Sequence, residues 1–185
     1  MPERNLLART DRTAIRRTRR EDEARWLEAV RASRELHHPW LRLPDTPEGF
    51  QRWMDRFDGS GAAGFTVCAP GSGELLGFVN INNIVHGGFR CGALGYGAFA
   101  AGAGRGHLTE GVGLVVRHAF GPLGLHRLEA NIQPGNAASI ALVRRTGFRL
   151  EGFSPDFLHI DGAWRDHERW AITSEMPLGT DATGR

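Results

Sequence analysis

This chain has no lysine: all 23 of its basic residues are arginine. A Walker phosphate loop, which needs Gly-Lys-Ser/Thr, is therefore excluded. Cysteine is nearly absent as well. Cys68 and Cys91 are too few and too widely separated for a disulfide framework, they match no metal spacing, and they read as buried thiols of a reducing cytoplasm. Tyr96 is the only tyrosine, so no tyrosine in the C-terminal region can serve as a proton donor. No apolar run reaches signal or transmembrane length, and the opening segment is polar, which predicts a soluble, cytoplasmic protein with no membrane partner. His107, His126, His159 and His167 have no ligand spacing, and no metal is expected. A net charge of +2 is too small to argue for nucleic-acid binding. Arg4, Arg9, Arg12, Arg16, Arg17, Arg19 and Arg20 do gather near the N-terminus against Glu3 and Asp11. They read as a solvated arm and strand edge rather than an RNA-facing patch.

What the chain has in quantity is glycine, 25 of 185 residues, a signature of tight turns and close backbone approaches. The length suits one domain with a full core, expected over residues 13–175 between an N-terminal arm, 1–12, and a flexible tail, 176–185. Thr13–Arg17 reads as a strand and Glu21–Arg34 as an amphipathic helix. Thr46 followed by Pro47 starts a second helix carrying Phe50, Trp53, Met54 and Phe57. Strands are predicted at Gly64–Ala69, Leu75–Val85, Phe89–Phe99 and Arg127–Gln133, with a helix at Leu108–Phe120 before the last of them. Pro134-Gly135-Asn136 opens a short helix that Gly147 ends. Phe148–Ile160 and Trp164–Thr173 close the chain as a hairpin through Asp161-Gly162.

The most informative stretch is Phe99-Ala100-Ala101-Gly102-Ala103-Gly104-Arg105-Gly106-His107. Alternating glycines after a strand and before a helix aim backbone N–H groups, backed by the helix dipole, into one space suited to a phosphate or diphosphate. The same residues also serve as an ordinary strand-to-helix turn. The dinucleotide fingerprint fails from Gly102, because position 107 is His, and from Gly104, because position 109 is Thr.

Several stretches in this order carry a family resemblance: Gly77-Phe78-Val79-Asn80, Leu94-Gly95-Tyr96, Gly104-Arg105-Gly106, Leu125-His126-Arg127-Leu128-Glu129-Ala130, Asn136-Ala137-Ala138-Ser139, Thr146-Gly147-Phe148 and Asp161-Gly162-Ala163-Trp164. Over roughly residues 10–175 the chain resembles the GNAT superfamily of acyl-CoA-dependent N-acetyltransferases, in its ribosomal-protein-alanine (RimJ/RimL-type) branch. The resemblance implies an α/β fold: a mixed, mostly antiparallel twisted sheet of about seven strands with four helices. It also implies a splay between the fourth and fifth strands, Phe89–Phe99 and Arg127–Gln133, opened by a bulge near Gly95–Ala98.

Acetyl-CoA is the implied cofactor, held by Phe99, Ala101, Gly102, Ala103, Gly104, Arg105, Gly106, His107, Asn136 and Ser139. Backbone N–H groups of the fourth strand around Phe99 would polarise the thioester carbonyl, Ser139 would protonate the thiolate, and Glu129 would act as base. Asn136 and Ser139 equally suit helix capping, and Glu129 a solvated carboxylate. Two positions depart from the pattern: Ala101 stands where the loop usually opens with Gln or Arg, and Ala93 where the fourth strand often carries an acid. An α-amine, with a pKa of about 7.7–8, tolerates a missing base better than lysine near 10.4. Together with this, the resemblance implies as acceptor a protein or peptide N-terminus, such as that of a ribosomal protein, served by a monomer or homodimer. A small-molecule amine and a catalytically weak acyl-CoA-binding module are the alternatives.

Overall fold

The computed structural model describes residues 5–179. Eight strands make one sheet: β1 (Ala8–Arg9), β2 (Ala14–Arg17), β3 (Ala63–Cys68), β4 (Leu75–Val85), β5 (Cys91–Ala98), β6 (Arg127–Ile132), β7 (Arg149–Ile160) and β8 (Ala163–Thr173). Their order is β1-β2-β3-β4-β5-β6-β8-β7, antiparallel throughout except for β5 and β6, which run parallel. The helices are α1 (Glu23–Ala32), α2 (Arg34–His37), α3 (Pro47–Asp55), α4 (His107–Phe120) and α5 (Ala137–Thr146).

Local chemistry explains most of these boundaries. Thr46 accepts a hydrogen bond from the Gly49 N–H and Pro47 follows it, so α3 starts where the sequence predicts. Asp161 and Gly162 both have positive φ, 51° and 76°, the backbone of a two-residue hairpin turn. The helix expected over 21–34 divides in two at Ser33, whose hydroxyl donates to the Ala29 carbonyl at 2.6 Å and accepts from the Ala100 N–H at 2.9 Å. The break therefore ties this segment to the end of β5.

Helices cover both faces at the centre of the sheet, while β7 and the start of β8 stay largely exposed. α4 and α5 bury Val112, Val115 and Val143 against Val79, Leu94 and Leu128 on one side. On the other, α1 and α3 build an aromatic cluster in which Trp26 meets Phe99 edge-on, 5.1 Å between ring centroids. Each such fully buried side chain contributes about 1.5–3 kcal/mol relative to exposure.

The chain ends depart from expectation. Residues 8–9 of the expected arm pair with β2, Ala8 opposite Ile15 and Arg9 opposite Ala14. Of the expected tail, Met176 and Leu178 pack on the main core and the Gly179 N–H reaches the Thr146 carbonyl at 3.3 Å; residues 180–185, like 1–4, lie outside the described residues. The N-terminal arginines are not simply solvated. Arg16 is buried in a two-bond pair with Asp22, both bonds 2.7 Å, and Arg20 bonds Asp55 and Asp58. Cys68 and Cys91 are both buried and free. Among the described residues, no helix is long and apolar enough to cross a membrane.

β5 and β6 pair only from Cys91 opposite Arg127 to Leu94 opposite Ala130, and beyond that point they part. The expected bulge at Gly95–Ala98 is absent: β4 and β5 stay in register from Ala93 to Ala98, and the irregularity falls at Asn82–Val85. The splay comes instead from the loss of a partner strand. The Ala98 carbonyl accepts from His37 Nε2 at 2.8 Å, a bond that a neighbouring strand would otherwise make.

Candidate active site

The gap between β5 and β6 leads into a cavity of about 950 Å³ that runs from the glycine loop to α2 and α5. Its β5 wall follows from hydrogen-bond alternation. The Phe99 N–H donates to the Leu76 carbonyl of β4 at 2.9 Å, so Gly97 and Phe99 face β4, while Tyr96 and Ala98 direct their N–H and C=O groups into the gap. Of the strand N–H groups expected around Phe99, its own is already committed and its side chain is buried within the aromatic cluster, so Phe99 itself is corrected as a cofactor contact; the Tyr96 and Ala98 N–H groups are the ones that face the gap.

The loop itself is shaped by two glycines. A side chain at Gly102 would begin 2.3 Å from the Leu76 carbonyl oxygen, so only glycine lets the turn cross β4 there. Gly106 caps α4 with a φ of 80°, in the left-handed region. The first N–H groups of α4 have no partner within the helix and carry its positive dipole end. Gly102, Ala103, Gly104 and Gly106 border the cavity, together with Asn136 and Ser139.

The other expected cofactor contacts are placed elsewhere. Ala101 packs on the main core, and neither it nor Arg105 borders the cavity. His107 also lies outside it, with Nδ1 2.9 Å from Thr13 Oγ1, and its pKa is lowered by burial and by the Arg12 charge.

On α5, Asn136 Oδ1 accepts the Ser139 N–H at 3.1 Å and so caps the helix. Ser139 Oγ lies 2.7 Å from the Tyr96 hydroxyl. Burial pushes the Tyr96 phenol up to about 12 against the opposing effect of that bond, so it stays protonated at physiological pH.

Glu129 is not brought to these groups. Leu128, Ala130 and Ile132 of β6 enter the main core, so Glu129 points to the opposite face. There it accepts from Arg127 Nε at 2.9 Å and Arg169 Nη2 at 3.1 Å, outside the cavity lining. With both carboxylate oxygens engaged by guanidiniums on the face away from the cavity, Glu129 does not reach the reacting groups, which corrects the role expected for it.

Several cavity residues escaped the sequence reading. Thr10, Asp11 and Arg12, in the turn between β1 and β2, border the glycine-loop end, as does Glu110 of α4. At the other end stand His37, Trp40 and Leu41. A carbonyl only accepts, so His37 Nε2 carries the proton it shares with Ala98, and burial lowers the ring's pKa. Trp40 sits 3.1 Å from where a Gly135 side chain would begin, and Arg42 Nε bonds Asp161 at 2.6 Å. The segment after α2 thus spans from the turn before α5 to the β7–β8 turn, with Trp40 and Leu41 on the cavity. The glycine loop and the Asn136 cap had local signals; these residues had none, because their partners are distant in sequence.

Comparison with known proteins agrees with this geometry. The model of the acetyltransferase (GNAT) domain family matches residues 12–149. The chain is 32% identical over 173 residues to the [ribosomal protein uS5]-alanine N-acetyltransferase of Escherichia coli, covering 89% of each chain. It is 31% identical over 132 residues to the L-methionine sulfoximine/L-methionine sulfone acetyltransferase of Pseudomonas aeruginosa, covering 69% of this chain and 74% of that protein. Among solved structures, Mycobacterium smegmatis RimJ in complex with CoA-disulfide superposes with a TM-score of 0.78 at 30% identity, over 88% of this chain and 82% of that one. With that family model matching residues 12–149 and a relative 32% identical over 89% of each chain, the chain belongs to the GNAT family of N-acetyltransferases.

Proposed function

We propose that this protein moves an acetyl group from acetyl-CoA to the N-terminal α-amine of a protein or peptide, with a cytoplasmic ribosomal protein as the favoured acceptor. The observation that carries this reading is the near-full-length similarity to an enzyme named for acetylating ribosomal protein uS5. Acetyl-CoA supplies the activated thioester. The residues present suit it: the Gly102 and Ala103 N–H groups close the turn onto the Phe99 and Ala100 carbonyls, those of Gly104–Gly106 and the first turn of α4 are left to meet a diphosphate, and the gap between β5 and β6 has room for an extended arm. With the donor bound, the Ala98 N–H, which faces the gap, would polarise the thioester carbonyl, and Ser139, held against Tyr96, would supply a proton to the thiolate. With Ala93 on β5 and Glu129 engaged elsewhere, the acceptor enters as the fraction of α-amine already neutral, which is substantial at a pKa of about 7.7–8.

The test is a panel of N-terminal peptides of ribosomal proteins, free amino acids, methionine sulfoximine and polyamines, each with acetyl-CoA. Thiol release and product mass are followed. Acetylation at a peptide α-nitrogen, well above any small amine, is the expected result. Turnover confined to small amines overturns the acceptor assignment, and coenzyme binding without transfer to any amine overturns the enzymatic one.

A further inference from the structure

The glycine loop brings little charge of its own to a diphosphate. Position 101 is Ala, and Arg105 does not border the cavity. A second chain segment meets the loop there. Thr10 and Thr13 close the turn between β1 and β2, the Thr10 N–H donating to the Thr13 carbonyl at 2.8 Å. That turn is seated on the first turn of α4 through Glu110, which is 4% exposed. Glu110 accepts from Thr10 Oγ1 at 2.7 Å and from Arg12 Nε at 2.6 Å, with Arg12 Nη2 on the same carboxylate oxygen. Burial pushes the Glu110 carboxyl up, but these bonds and the Arg12 charge outweigh it, so the group is ionised.

A bare carboxylate at the start of α4 would repel the anion that the helix dipole and loop attract. Arg12 removes that conflict. It meets Glu110 along one guanidinium edge, through Nε and Nη2, and a guanidinium has five donors. The remaining donors belong to a group whose side chain is 56% exposed and whose Nη2 lies 3.0 Å from where a Gly106 side chain would begin. The guanidinium therefore stands over the helix-capping glycine, at the cavity edge.

Resting on the acetyl-CoA reading above, we propose that Arg12 is a binding residue for the coenzyme diphosphate, contributed by the β1–β2 turn, and that Glu110 is the positioning residue that holds it over Gly106. The β1–β2 turn is then part of the donor site rather than an appendage.

Calorimetric titration of the full chain tests this with three ligands: coenzyme A, 3′-dephospho-coenzyme A and pantetheine, the last followed by NMR because it binds weakly. Arg12→Gln is expected to weaken coenzyme A and dephospho-coenzyme A alike, by about tenfold or more, and to leave pantetheine affinity where the wild type has it. Arg12→Lys, which keeps the charge but not the two-bond contact with Glu110, should lie between. Glu110→Gln should weaken the same two ligands through loss of position, with its thermal melt recorded to confirm folding. An equal loss for all three ligands would reduce Arg12 to a structural tie and overturn the assignment, as would unchanged affinity for coenzyme A. A loss for coenzyme A alone would move the contact to the ribose phosphate and overturn the diphosphate assignment. Failure of the wild type to bind coenzyme A at all would overturn the acetyl-CoA reading itself, so the two failures are distinguishable.

Discussion

The contact between Tyr96 and Ser139 is the one in which individual side chains bear most directly on chemistry. A serine hydroxyl alone is a weak acid, and a phenol held near 12 stays protonated across the physiological range, so the pair stores a proton beside the gap instead of titrating. Ser139→Ala is expected to lower kcat by roughly 10²-fold with coenzyme A affinity close to wild type, because the role falls in the chemical step. Tyr96→Phe should cost less, since Ser139 keeps its own hydroxyl. Single-turnover kinetics with a peptide acceptor check both, and an undiminished rate in Ser139→Ala would place the proton source elsewhere.

Among the elements, α5 joins stability to function through its first turn. Asn136 Oδ1 receives the backbone N–H of Ser139 itself, so the cap and the candidate proton donor are mechanically one unit. Asn136→Ala should cost about 1 kcal/mol of stability. It should also lower activity beyond what that loss explains, because the frayed turn carries Ser139. Denaturant melts and kcat measured on one preparation decide the matter: activity that survives intact in the folded fraction would make the cap purely structural. Gly147 ends the same helix with a φ of 97°, so both of its limits are written in its own residues.

For the whole molecule, three histidines that folding partly or fully removes from water, His37, His107 and His118, set the response to acid. His37 has its pKa lowered from 6.5, chiefly by burial, partly countered by its bond to Ala98. His107 and His118 are shifted in the same direction, again mainly by burial. The unfolded chain therefore takes up protons near 6.5 that the folded chain refuses, and stability falls as pH drops from about 6.5 toward the folded values. Glu151 acts in a separate window. The Arg127 hydrogen bond, aided by Arg149, pulls it to about 2, so its contribution is present above 4.5 and fades only below that. Thermal melts between about pH 7.5 and 5.5 should show Tm decreasing with acid. His37→Gln, whose amide still donates to the Ala98 carbonyl, should remove part of that slope. An unchanged slope would show that His37 takes up its proton as readily folded as unfolded.

The sequence by itself determined the features that arise within a few residues. The hairpin at Asp161-Gly162, the caps at Thr46, Asn136 and Gly147, the strand limits at Leu75 and Val85, and the glycine loop before α4 all follow from local backbone preferences and side chains three or four positions apart. Tertiary structure decided everything that depends on register or on distant partners. Whether Phe99 or Ala98 offers its N–H to the gap turns on which residue of β5 faces β4, and a shift of one residue would exchange them. Of the two guanidiniums that engage Glu129, Arg127 is a strand neighbour but Arg169 arrives 40 positions later, and the face they share is set by the core side of β6. Tyr96 and Ser139 are 43 positions apart, and Arg12 reaches Glu110 across 98. Such contacts form only when the sheet brings the strands together, so local sequence outlined the donor loop but not the groups facing it.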